Sequence, residues 1–218
     1  MKVAIIGATG RVGSQLVKEL LSRGHEVRAI ARSIDKVEAQ AGVERVQGDV
    51  TDSDFAETLK GVDAVISTYG VKLTSPTAVE DYLKGADNIL ESAKQAAVPY
   101  LLFMGGAGSL YLPDGTQYAD APFIPKEMFA AVDAARRYYM QMKERRDVNW
   151  AYFSPAGMFG MNISYERTGK YRLSGDAMIF NADGKPANIS VPDLACALVD
   201  DVEKRDHLFS RFTAAEVE

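Results

Sequence analysis

Seven residues near the N-terminus, Gly7-Ala-Thr-Gly-Arg-Val-Gly13, set the strongest limit on what this 218-residue chain can fold into. They follow Lys2-Val-Ala-Ile-Ile6, a short β-branched run that reads as a buried parallel strand. They lead into Val12, Leu16, Val17, Leu20 and Leu21, apolar at helical spacing until Gly24. In a strand–turn–helix unit each glycine has a separate task. Gly7 lets the chain turn sharply out of the strand, Gly10 leaves the backbone open to a diphosphate, and Gly13 lets the helix pack close. The helix start presents free N–H groups and the positive end of its dipole to phosphate. Thr9, Arg11 and Val12 complete the candidate nucleotide loop. Its spacing is G-x-x-G-x-x-G, and the alternative is a tight turn that holds no ligand.

Strand-like and helix-like segments then alternate along the chain. Strands are expected at Val27–Ala31, Glu44–Val46, Ala64–Ser67, Tyr100–Met104 and Trp150–Phe153. Helices are expected over Ile34–Gln40, Asp54–Lys60, Val79–Ala97 and Lys126–Arg146. That alternation, with right-handed crossovers, gives an α/β fold, a Rossmann-type doubly wound parallel sheet. The pattern breaks after Ser154. Residues 155–190 are glycine-rich and polar, with a paired loop or hairpin expected over Ala177–Ser190. Ser190-Val-Pro-Asp193 opens a last helix to about Lys204, and Leu208–Thr213 forms a last strand. The expected organisation is one NAD(P)-binding Rossmann domain over 1–218, with 155–190 as a small C-terminal substrate-side lobe.

Composition narrows the function. The single cysteine, Cys196, excludes a disulfide framework and a multi-thiolate metal site, and two histidines leave little for a histidine-based one, so no metal is expected. A net charge of −5 argues against a nucleic-acid partner. Apolar runs such as Val98–Met104 are too short to span a bilayer, and no basic leader precedes the first strand. A cytoplasmic protein, monomer or homodimer, without membrane contact, is expected.

The tip of the second strand decides between nicotinamide cofactors. An acid about twenty residues past the loop would hold the ribose 2′-hydroxyl of NAD. Ala29-Ile-Ala-Arg-Ser33 offers none. Arg32 suits a 2′-phosphate, with Ser33 and Arg11 assisting, which favours NADP(H) over NAD(H). The alternative for Arg32 is a solvated surface charge. Asp49 can accept from the adenine amino group while Val50 packs on the ring; a simple turn there is compatible with both.

These residues resemble the atypical branch of the short-chain dehydrogenases/reductases. The glycine loop, Arg32, Asp49-Val50, Ser67-Thr-Tyr-Gly70, Phe103-Met-Gly-Gly-Ala-Gly-Ser109 and Asn149-Trp-Ala-Tyr-Phe-Ser-Pro155 carry the likeness. Arg167–Leu173, Ala182-Asp-Gly184 and Ile189–Asp193 resemble the bacterial group provisionally named NAD(P)H–flavin reductases, close to NmrA-like proteins and biliverdin reductase B. The resemblance implies that Ser67, Thr68, Tyr69 and Gly70 line the cofactor, where the superfamily usually has Asn-Ala-Gly. It also implies that Gly105, Gly106 and Ser109 lie near the nicotinamide.

The superfamily's catalytic pair is Tyr-x-x-x-Lys, in which lysine lowers the tyrosine pKa for proton donation. Tyr139-Met-Gln-Met-Lys143 has the spacing. It lies near the far end of its helix, two turns or roughly 10 Å from where the pair normally stands. Without an evident acid, the site suits a flavin or quinone, whose conjugated ring spreads the incoming charge, better than a ketone. Ser109 is the candidate catalytic contact, or a loop serine capping a turn. Tyr118, Met158, Phe159 and Arg167 are candidate substrate residues, Arg167 for a phosphate such as that of FMN. Two other readings remain open: a non-catalytic NADP(H)-sensing regulator of the NmrA type, and a carbonyl reductase using Tyr139 and Lys143.

Overall fold

The computed structural model describes residues 1–122, 124–161 and 163–218. Strands β1 (Lys2–Ile6), β2 (Glu26–Ala31), β3 (Val43–Gln47), β4 (Ala64–Ser67), β5 (Leu101–Met104), β6 (Trp150–Phe153), β7 (Tyr171–Ser174) and β8 (Arg211–Glu216) lie in the order β3-β2-β1-β4-β5-β6-β8-β7. Every neighbouring pair is parallel except β7 with β8. Helices α1 (Arg11–Ser22) and α4 (Val191–Lys204) pack on one face, and α2 (Ala78–Gln95) and α3 (Lys126–Met142) on the other. This is the doubly wound Rossmann-type sheet.

The central strands are apolar on both faces because both are covered. Val3, Ile5, Ala29 and Phe153 join the core under α1 and α4. Ala4, Ile6, Phe103, Trp150 and Tyr152 join the core under α2 and α3. The strand order reverses at β1, where β2 and β4 flank it on opposite sides, so their crossover connections diverge. A crevice opens above the carboxyl ends of these strands, where such sheets bind ligands.

The elements depart from the sequence pattern in places, each with a local cause. Ile34–Gln40 contains only one 3-10 turn, Ile34–Lys36. Val37 alone of that segment is buried, too little to hold a longer helix. Helix α3 stops at Met142. There the guanidinium of Arg146 donates to the Lys143 carbonyl and the Trp150 indole donates to the Arg145 carbonyl, drawing the chain out of the helix. The last strand starts at Arg211 rather than Leu208. Arg205 adopts a left-handed conformation, and the Asp201 carboxylate accepts from the His207 backbone and ring, making a turn first. The Ala177–Ser190 pairing is a single bridge, Phe180 to Pro186. Tyr171–Ser174, unforeseen as a strand, forms the antiparallel edge.

Candidate functional site

Local geometry bears on each loop glycine in turn. Gly7 has φ +85°, and a Cβ there would stand 2.7 Å from the Thr68 hydroxyl. That hydroxyl donates to the Ile6 carbonyl, tying the end of β4 to the loop. A Cβ on Gly13 would overlap the Gly7 carbonyl, so the close packing of α1 on the loop demands glycine. Gly10 precedes α1, and no side chain caps the helix. The first-turn N–H groups of Arg11, Val12 and Gly13 therefore have no intrahelical acceptor. No carboxylate lies in that turn to repel an anion. An uncapped helix start beside glycines that no side chain can replace fits a dinucleotide diphosphate.

The loop opens into a cleft of about 680 Å³. Gly7, Thr9, Gly10, Arg32, Ser33, Asp49, Val50, Thr68, Tyr69 and Gly70 line it, together with Lys36, Lys72 and Asp81, which the sequence did not single out. Arg32 and Lys36 are exposed at its rim and pair with no carboxylate among the described residues. The Asp49 carboxylate accepts from the Thr51 N–H and hydroxyl, which, with Arg32 nearby, hold its pKa below the usual range. Tyr69 stacks on Tyr82, with ring centroids 6.2 Å apart, and donates to the Asp81 carbonyl. A Cβ on Gly85 of α2 would overlap the Tyr69 ring. Gly85 is thus a functional position that no loop motif marks; a glycine inside an otherwise good helix was its only signal.

Other candidates stand elsewhere. Arg11, Val12 and Gly13 offer their backbone N–H groups, and the side chains of Arg11 and Val12 do not line the cleft; Ser67 is buried. Gly105 packs on the Tyr152 phenol, whose pKa burial pushes up to about 12, and Gly106 faces Ala135 of α3. Ser109 is buried and its hydroxyl accepts from Arg211 at 2.7 Å. Tyr118 donates to the Gly157 carbonyl. Met158 donates its N–H to the Ala187 carbonyl, and Phe159 packs against the α1/α4 core. Arg167 grips Glu19 of α1 with two hydrogen bonds of 2.9 Å, and the neighbouring backbone is pinned by the Asp193 carboxylate. Tyr139 is buried, and the cation over its ring, at 4.6 Å, is Arg211 rather than Lys143. Burial raises the Tyr139 pKa and Arg211 opposes that rise.

A family model described as NAD(P)H-binding matches residues 7–204. The chain belongs to this NAD(P)H-binding family. Within it, the chain falls in the atypical short-chain dehydrogenase/reductase, NmrA-like group. YwnB of Bacillus subtilis strain 168 is 34% identical over 215 residues, covering 98% of this chain and 97% of YwnB. A Bacteroides thetaiotaomicron protein, provisionally named an epimerase, superimposes with a TM-score of 0.88 at 34% identity, covering 100% and 97% of the two chains. A Streptococcus pneumoniae protein, provisionally named an NADH-flavin reductase, superimposes at 0.84 with 32% identity, covering all of both chains. The family member described here has no helix, among the described residues, long and apolar enough to cross a membrane, and no His/Cys/Asp/Glu cluster suited to a metal.

Proposed function

We propose that the protein is an NADP(H)-dependent oxidoreductase that passes hydride to a small flat acceptor such as a flavin or quinone. The observation that carries the cofactor assignment is Arg32, an unpaired cation at the tip of β2, on the cleft wall where an NAD-preferring site would place an acid. Lys36 adds a second positive charge to the same rim. The first-turn N–H groups of α1 would hold the diphosphate, and Val50 and Asp49 the adenine. NADPH would supply the hydride. The residues of 155–190 are the best candidates for the acceptor side.

The proton requirement favours the flat acceptor. Tyr139 is buried under Arg211, and Ser109 is buried and does not line the cleft. A ketone needs a positioned acid. A flavin or quinone needs chiefly orientation and a dry contact. The streptococcal neighbour's name is consistent with this reading.

The test is a spectrophotometric screen of NADPH and NADH oxidation against FMN, FAD, quinones and aldehydes. NADPH loss with flavins or quinones, slowed by Ser109→Ala and little changed by Tyr139→Phe, is expected. Turnover with carbonyls alone, abolished by Tyr139→Phe, would replace this reading with a carbonyl reductase. Tight NADPH binding with no acceptor at all would favour a cofactor sensor, a reading that the burial of Ser109 keeps in play.

A further inference from the structure

We propose that the α3-facing side of β6 and β8 forms a recognition subsite for a carbonyl oxygen of the acceptor, built by Arg211, Ser109, Ser154 and Thr213; the identity of that ligand rests on the reading above. Tyr152 pairs with Arg211 and Phe153 with Phe212 in parallel register. The Ser154 N–H donates to the Phe212 carbonyl, which brings Ser154 alongside Thr213. Side chains alternate along strands, so Arg211 and Thr213 share a face with Tyr152 and Ser154. Phe153, Phe212 and Ala214 take the opposite face and are wholly apolar core.

That face holds polar groups that the protein itself does not satisfy. Ser154 and Thr213 are 0% exposed and Arg211 4%. Ser154 Oγ, Thr213 Oγ1 and Arg211 Nε have no hydrogen-bond partner among the described residues. Buried polar groups are normally partnered, because each orphan loses its hydration without return. Unsatisfied groups gathered on two adjacent strands mark a place built to hydrogen-bond something else.

The chemistry of the lining selects the ligand. Arg211 spends one terminal nitrogen on Ser109 and the other on Asp176, which fixes its fork and leaves Nε–H. Ser109 accepts from Arg211, so its own proton is available to donate. Asp176 is largely solvated, which weakens its neutralisation of Arg211. The result is a set of donors beside a buried cation, suited to a carbonyl oxygen and hostile to an amine or a cation. Ser154 directly follows β6, and the Ala107–Ser109 turn follows β5, so the subsite shares the carboxyl edge of the sheet with the cleft. Leu110, Tyr118 and Met178 belong to a small apolar cluster separate from the two main cores.

The test uses riboflavin and 2-methyl-1,4-naphthoquinone as probes, with binding read by fluorescence of probe or protein in the absence of NADPH. The variant Ser154→Ala/Thr213→Val removes two hydroxyls at nearly constant volume. It should raise the Kd of a bound probe about tenfold, while the NADPH Kd stays within about twofold. Arg211→Lys, which keeps the charge and loses the fork, should also weaken the probe. Unchanged probe affinity in these variants, or no binding of either probe to the wild type, would overturn the subsite. Failure of the wild type to oxidise NADPH would instead overturn the hydride-transfer reading and leave the probe comparison standing.

Discussion

The hydroxyl of Tyr152 occupies the space that a side chain on residue 105 would need, so Gly105 and Tyr152 are sterically coupled across the end of β5. Tyr152 is fully buried between Phe103 and Tyr139 and has no room to retreat. Gly105→Ala is therefore expected to destabilise the fold by about 1–3 kcal/mol, the usual range for overpacking. Denaturant midpoints check this. Because the smaller residue relieves the overlap, Tyr152→Leu should cost less in the Gly105→Ala background than in the wild type. Additive losses would contradict the coupling.

Gly85 and Tyr69 are coupled in a softer way. The overlapping atoms are the far end of the Tyr69 ring, which stands at the edge of the cleft. Alanine gains about 1 kcal/mol over glycine inside a helix, which offsets part of the cost of displacing the ring. Gly85→Ala should therefore change the melting temperature little but weaken NADPH binding severalfold. Unchanged affinity by calorimetry would remove Tyr69 from the cofactor wall.

Glu19 links the α1–α4 face to the segment before β7. Arg167 lowers its carboxyl pKa most; burial opposes and Arg23 assists, leaving it near 2 against an ordinary 4.5. A folded pKa below the unfolded one means the stabilisation is present above about 4.5 and is lost as pH falls toward 2. Glu19→Gln should flatten the stability–pH curve across that window and cost on the order of 2 kcal/mol at neutral pH. Urea titrations from pH 2 to 7 measure it. An unchanged slope between pH 4.5 and 2 would contradict the pairing.

Arg32→Ala should lose about 10- to 100-fold in NADPH affinity, the worth of a charge-assisted phosphate contact. NADH affinity should change by no more than about twofold. Equal losses for both dinucleotides would remove the phosphate assignment.

The parts of the fold legible in the sequence are those where local pattern and global need agree. Lys2–Ile6, Ala64–Ser67 and Trp150–Phe153 are strands buried on both faces, so composition alone marks them. The glycine loop was legible because backbone geometry dictates its residue types. The Tyr171–Ser174 strand was not, because it lies at an edge, is only partly buried and draws its order from β8. The cleft's main-chain half could be read from spacing. Lys36 and Lys72 could not, because only the packing of separate elements brings them to the same wall, and Gly85 acts from behind that wall through Tyr69. Arg167 carries the charge a phosphate would need, but a buried carboxylate 148 residues away in sequence claims that charge.

The central claim is that main-chain amides at the β1–α1 junction hold a dinucleotide diphosphate. Titrating NADPH into isotope-labelled protein and following amide chemical shifts tests it most directly. Saturable shifts concentrated at Gly10, Arg11, Val12 and Gly13 are expected, with Arg32 and Tyr69 following the same curve. Saturating NADPH that leaves the amides of residues 7–13 unmoved would contradict it.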